Sequence, residues 1–88
     1  MKLLITGALR SYTGAAEVEL DLGAGATLAA MFDALESRYP GLRFRVVDEQ
    51  QRLRPNLRLF VDGVGVRDLA HGLRRDAAVA LVLALSGG

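Results

Sequence analysis

Between Glu17 and Tyr39 the hydrophobic period of the chain changes once, and that change limits the folds open to it. Glu17, Val18, Glu19, Leu20, Asp21 and Leu22 alternate polar and apolar without a break. This is the period of a half-buried strand, with Val18, Leu20 and Leu22 facing one way and the three acids the other. Gly23-Ala24-Gly25 breaks the strand. Leu28, Met31, Phe32, Leu35 and Tyr39 then recur at i, i+3, i+4, i+7 and i+11. That spacing predicts one amphipathic helix of about 13 residues, roughly 19 Å long. Thr27 is its N-cap, Ala30 prevents a full capping box, and Pro40-Gly41 stops it. One helix carries one apolar stripe, so a sheet must cover that stripe.

The remaining strands are read from shorter signals. Residues 2–6 form a β-rich run ended by Gly7 and lie near enough to 17–22 to predict a hairpin across a loop over 8–14. Residues 57–61 read as a strand, Asp62-Gly63 as a type I′ turn and 64–66 as the return strand. The last strand spans 79–85, with Val79, Leu81, Leu83 and Leu85 on one face and Ala80, Val82 and Ala84 on the other. A strand apolar on both faces belongs at the centre of a sheet. Residues 68–73 are expected to form an irregular turn carrying Leu69 and Leu73 inward. Residues 41–55 show no clear period beyond an exposed turn at Asp48-Glu49-Gln50-Gln51. The order β-β-α-β-β-β predicts an α+β roll of the β-grasp type. It has a mixed sheet of four to five strands and one main helix in a single domain over 1–88, with a flexible tail at 85–88. A single helix covers a single face of such a sheet. The other face is expected to offer an apolar surface for a partner, unless its small alanines leave no patch.

Composition removes several classes of function. The chain has 88 residues, 51% of them hydrophobic, which excludes intrinsic disorder. It has no cysteine, which excludes thiolate metal sites and cysteine nucleophiles, and its one histidine, His71, excludes a histidine-cluster metal site. A net charge of +1 gives little electrostatic steering toward nucleic acid. The apolar stretch over 77–85 is too short for a membrane helix, which needs about 20 residues. The run over 3–9 is broken by Thr6 and Gly7 and no cleavage site follows, so a soluble, cytoplasmic protein is expected.

Four features are candidates for chemistry. Gly23-Ala24-Gly25-Ala26-Thr27-Leu28 resembles a dinucleotide fingerprint, but Leu28 stands where the third glycine belongs, and an ordinary turn is the expected reading. Arg38, Arg43, Arg45, Arg52, Arg54 and Arg58 form a cluster interrupted by Asp48 and Glu49, which reads as a solvated face or a site for an acidic protein. Asp33 and Glu36 lie on the polar helix face, and His71 and Ser86 have no partner for a nucleophilic triad, so autonomous catalysis is not expected. The ending Leu85-Ser86-Gly87-Gly88 places two glycines after a strand. Such a peptide enters clefts that any Cβ would block, and it presents the α-carboxylate of Gly88.

In this order the features resemble the ubiquitin-like sulfur carriers, and among them the MoaD-type small subunit of molybdopterin synthase. The resemblance rests on 28–39 with Pro40-Gly41, Leu53-Arg54-Pro55, Leu59-Phe60-Val61-Asp62-Gly63, Arg67-Asp68-Leu69, Gly72-Leu73, and the last strand into Gly87-Gly88. The long segment 41–56 favours the MoaD type over the shorter thiamin-pathway carriers. Asp62 stands where members commonly have Asn, and the tail lacks the usual Pro and Ala before Gly-Gly. The resemblance implies a carrier that is not an enzyme on its own and binds no cofactor. An E1-like adenylyltransferase uses ATP to adenylate Gly88, a sulfur donor converts it to a thiocarboxylate, and Ser86 and Gly87 give the tail access to partner enzymes. Those partners are the large subunit of molybdopterin synthase or another sulfur-accepting enzyme, met through Phe60, Val82 and Leu85, with neither nucleic acid nor membrane involved. Carriers for cysteine, thiamin or tRNA thiolation, a lysine-linked protein modifier, and a plain β-grasp binding module are the alternatives.

Overall fold

A computed structural model of the chain describes residues 1–83, the side chains of Ala8 and Tyr12 excepted. Strand β1 (Lys2–Ile5) pairs antiparallel with β2 (Glu17–Glu19), Leu3 opposite Val18. The chain then enters α2 (Leu28–Arg38), whose N-cap Thr27 accepts from the Ala30 amide at 3.2 Å. The side chains of Leu28, Met31, Phe32 and Leu35 are wholly buried. They share one core with Leu3, Ile5, Leu57, Leu59, Val79 and Leu81 from the sheet. Burying each such side chain contributes about 1.5–3 kcal/mol, so this stripe and its facing layer dominate the fold.

Strand β3 (Leu57–Val61) turns into β4 (Val64–Gly65) through Asp62 (φ 50°) and Gly63 (φ 84°), the pair of left-handed residues a type I′ turn requires. The last strand, β5 (Ala78–Leu83), runs parallel to β1 and antiparallel to β3. The sheet order is β2-β1-β5-β3-β4, which puts the doubly apolar strand at the centre as its composition required. The architecture is a five-stranded mixed sheet of the β-grasp type with one main helix. Leu69 and Leu73 are buried in the connection that precedes β5.

Several local expectations change. The loop over 8–14 contains a 3-10 turn (Gly7–Leu9) and a one-turn helix, α1 (Arg10–Thr13). Burial of Leu9 draws the segment against the core, and Gly14 (φ 69°) closes it by donating to the Arg10 carbonyl at 2.8 Å. The alternating run over 17–22 keeps strand pairing only through Glu19. Its partner β1 runs out there, and the Leu20 amide makes the last rung to the Met1 carbonyl. The return strand stops at Gly65 rather than residue 66. The last strand starts one residue early, at Ala78, and its expected end at 84–85 lies outside the described residues.

The segment without a period holds α3 (Leu42–Val46) and a bridge between Val47 and Leu53. Five residues give too little helix to show a period. Its start is made by Gly41 (φ 95°) and by the Glu36 carboxylate, which accepts from the Gly41 and Arg43 amides at 2.8 and 2.9 Å. The exposed turn at 48–51 is present, and the Asp48 carboxylate accepts from the Gln50 and Arg52 amides.

Candidate functional site: the open sheet face and the end of the last strand

Helix α2 covers one face of the sheet, and strand register assigns the residues of the other. Phe60 lies opposite Ala80, Arg58 opposite Val82, and Leu4 beside Ala80. Phe60 and Val82 are therefore diagonal neighbours, close enough for an aromatic ring to meet a branched side chain. Both are half-buried, and Leu4 is 43% exposed, so the alanines do leave an apolar surface here. The Lys2–Glu17 ion pair (3.4 Å) borders it on one side and Arg58 on the other. Beside it, Pro55, Phe60 and Val66 form an apolar depression flanked by Arg58 and Arg67. The sequence pointed to Phe60 and Val82 and missed Leu4, because three consecutive apolar residues at 3–5 conceal which of them faces outward.

The end of β5 is held from both sides. On the β1 side, the Thr6 amide donates to the Leu81 carbonyl at 3.2 Å, and Gly7 (φ 72°) lies against Leu83. On the β3 side, Leu83 pairs with Leu57. Arg67 secures that corner: Nη1 donates to the Leu57 carbonyl at 2.7 Å, and Nη2 to the Leu53 and Arg54 carbonyls at 3.0 Å each. A planar guanidinium can serve three carbonyls at once, which an ammonium cannot do in one plane. Nothing local in the sequence marks this role, since the accepting residues lie 10–14 positions away. Leu85, Ser86, Gly87 and Gly88 lie outside the described residues.

The other candidates have structural occupations. The first amides of α2 are already donated: Leu28 to the His71 carbonyl, Ala29 to the Leu69 carbonyl and Ala30 to Thr27 Oγ1. A phosphate at that helix end would find no free N–H there, so the glycine pair serves a turn, with Gly23 at φ 76° and Gly25 at φ 79°. The arginines are dispersed over their own chain. Arg38 donates to the Glu19 carbonyl, Arg43 pairs with Asp33 at 2.9 Å and bonds Gln51, and Arg52 bonds Gln50. Arg54 donates to the Phe44 carbonyl while stacking over its ring at 5.0 Å, and Arg58 donates to the Pro55 carbonyl.

Asp33 and Glu36 are thus an ion-pair partner and a helix cap. The Gly41 amide, then the Arg43 amide, hold the Glu36 carboxyl below its ordinary pKa. The Arg52 amide does the same for Asp48. Among the described residues no helix is long and apolar enough to cross a membrane, and no group of three acidic or histidine side chains converges on a metal-sized site.

Comparison with known proteins agrees with this architecture. Among curated sequences, none matches the chain. CysO from the Amycolatopsis orientalis BexX/CysO complex shares 27% identity at a TM-score of 0.84, over 99% of this chain and 98% of its own. Mycobacterium tuberculosis CysO shares 27% at 0.82, over 96% and 98%. The Haloferax volcanii small archaeal modifier protein 1 has the same fold, with a TM-score of 0.82 at 21% identity over 96% and 95%. The model of the ThiS family matches residues 3–88, from the first strand through Gly87-Gly88. The five-stranded grasp around one helix and this end-to-end match together place the chain in the ThiS family of ubiquitin-like sulfur carriers.

Proposed function

We propose that the chain carries sulfur on the carboxyl group of Gly88. The observation that supports this most directly is the family match, which runs through both terminal glycines. A carboxylate is a poor electrophile because its charge is delocalised. An E1-like adenylyltransferase overcomes this: Gly88 attacks the α-phosphorus of ATP, pyrophosphate leaves, and a mixed anhydride forms. Hydrosulfide, sulfur at the sulfide level, then attacks the carbonyl carbon and expels AMP, leaving a thiocarboxylate. The chain itself contributes the slender Ser86-Gly87-Gly88 peptide, the sheet face that carries Phe60 and Val82, and Leu85 as a further partner contact. It is a carrier and works as the small component of a sulfur-transferring enzyme; ATP is bound by the activating partner. On this reading the large subunit of molybdopterin synthase takes the sulfur.

A second reading has another enzyme as acceptor. The 27% identity to two CysO proteins, one of them in a complex with BexX, favours it. Those chains match this one almost end to end, so the long segment over 41–56 is common ground and does not separate the two readings. The experiment is thiol-specific alkylation of protein from its native host, followed by fragmentation of the C-terminal peptide. With no cysteine in the chain, an adduct that maps to Gly88 reports a thiocarboxylate. A plain carboxylate after incubation with the host's adenylating enzyme, ATP and a sulfur donor refutes the carrier reading. Incubating the thiocarboxylate form with each acceptor enzyme then decides between the two pathways.

A further inference from the structure

The sheet has two edges, and they differ. Strand β2 at one edge presents Glu17 and Glu19, charges of the kind that keep an edge from pairing with another chain. Strand β4 at the other edge is also short, but it presents Val64, 64% exposed, and Gly65. Its pairing with β3 decides which backbone groups remain open. The Val66 amide donates to the Leu59 carbonyl at 2.8 Å. Bonded and non-bonded pairs alternate along an antiparallel ladder, so Phe60–Gly65 is a non-bonded pair. The N–H and C=O of Gly65 therefore point out to the edge.

A side chain is missing beside that backbone. A Cβ on Gly65 would meet the Phe60 ring at 3.8 Å, so the ring borders an unfilled place next to the edge. This is the depression lined by Pro55, Phe60 and Val66, about 430 Å³, with Arg58 and Arg67 at its rim. Nη1 of Arg58 and Nη1 of Arg67 both donate to the Leu57 carbonyl, at 3.2 and 2.7 Å. The two nitrogens are thus held within about 6 Å of each other, where like charges repel and a shared anion attracts both. Carbonyl oxygens satisfy N–H groups without cancelling the charge. Lys2, Arg43 and Arg74 each have a carboxylate partner, whereas among the described residues none pairs with Arg58 or Arg67. A guanidinium has five N–H donors, and the bonds of neither arginine use all of them.

We propose that the β4 edge binds an extended segment of a partner protein carrying an apolar residue and, two positions away, an aspartate or glutamate. The segment's backbone pairs with Gly65, its apolar side chain fills the place beside Phe60, and its carboxylate meets Arg58 and Arg67. Side chains two apart on a strand share a face at a spacing of about 7 Å. Arg67 follows Gly65 by two positions, so one segment spans both features. A carboxylate accepts charge-assisted bonds from a guanidinium in a fork. An apolar segment alone leaves two cations unanswered, and a bare anion leaves the depression and the edge empty. The inference concerns what docks on the folded domain and does not depend on the carrier reading.

The test titrates the full chain with a capped peptide, Thr-Asp-Thr-Leu-Thr-Asp-Thr, which has an aspartate two positions to either side of its leucine. Amide resonances of Phe60 and of Val64 to Arg67 should shift, saturating below about 1 mM. Replacing both aspartates of the peptide by asparagine should weaken binding about tenfold. N-methylating the leucine and the threonine after it removes the donor that either strand direction would offer Gly65, and should weaken binding at least about tenfold. This change is in the peptide, so no loss of protein folding can imitate it. Arg58→Met should weaken binding about fivefold, while Arg52→Met, with the same change in net charge, should stay within about twofold of wild type. Absence of saturable shifts, shifts centred away from β4, equal binding of the aspartate and asparagine peptides, or equal binding of the N-methylated peptide overturns the proposal. Equal losses in the two arginine variants also overturn it, in favour of net charge alone. Displacement of the peptide by an equal concentration of single-stranded oligouridylate overturns it in favour of a nucleic-acid surface. Overhauser contacts from Leu85 methyls to Pro55 or Phe60 in the free chain overturn it too, because the chain then fills its own depression.

Discussion

Replacing Arg67 by methionine removes three hydrogen bonds while keeping most of the side-chain stem. The guanidinium serves the carbonyls of Leu53, Arg54 and Leu57 at 2.7–3.0 Å, and no other described donor repeats that arrangement. A hydrogen bond to a charged group contributes about 1.5–3 kcal/mol. The Arg67 side chain is exposed, so water can re-engage part of what is lost, and the three bonds share one group. About 2–3 kcal/mol in all is the resulting expectation. For a domain of this size each kcal/mol moves the melting temperature by about 4–8 °C, so Arg67→Met should melt about 8–24 °C lower. Arg67→Lys, a point charge with no fork, should fall between it and wild type. Arg52→Met is the control, since Arg52 bonds only the exposed Gln50 side chain and its own turn, and it should stay within about 0.5 kcal/mol of wild type. Urea unfolding followed by circular dichroism gives all four stabilities, with no disulfide to complicate reversibility. If Arg67→Met and Arg52→Met are equally stable, the clamp contributes nothing and the argument for it is wrong.

Other outcomes follow from the same structure. Phe32→Ala empties the centre of the core and should cost about 3–5 kcal/mol by urea unfolding, against a total of about 5–15 kcal/mol for an ordinary domain; a loss under 1 kcal/mol would mean that α2 is not the element the sheet covers. The Glu36 and Asp48 carboxyls titrate below their ordinary values in the folded chain, so the stability they contribute is present above the ordinary carboxylate range and is lost as pH falls through it. A melting curve series should therefore decline below about pH 4.5, and Glu36→Gln with Asp48→Asn should be less stable at pH 7 and decline less. Removing Gly87 and Gly88 should leave the melting temperature within about 2 °C of wild type and abolish adenylation; this follows from the proposed function, and a large loss of stability would count against it.

Partner exchange bears on the open sheet face. The surface made by Leu4, Phe60 and Val82 is apolar in a chain whose other polar clusters are spent on internal bonds. That contrast is why Phe60 and Val82 remain the residues to probe first in binding assays with an activating or accepting enzyme.

Local chemistry alone determined much of this protein. A period of two at 17–22, a period of 3.6 at 28–39, Thr27 before the helix and Asp62-Gly63 between two apolar runs each act over a few residues, and each gives the expected kind of element, the strand shortened to Glu17–Glu19 and the helix to Leu28–Arg38. The terminal glycines likewise need no fold to be recognised. Tertiary structure decided what depends on distant partners. Strand β2 ends where β1 can no longer pair with it, and α3 forms because Glu36 and a left-handed Gly41 start it. The turn at 7–13 becomes helical because Leu9 is drawn inward. Gly7 meets Leu83 across 76 positions of chain, and Arg67 reaches carbonyls that lie in another corner of the sequence. Periodicity and turn preferences are short-range energies written into neighbouring residues; register, clamps and close approaches arise only once the sheet has brought remote segments together.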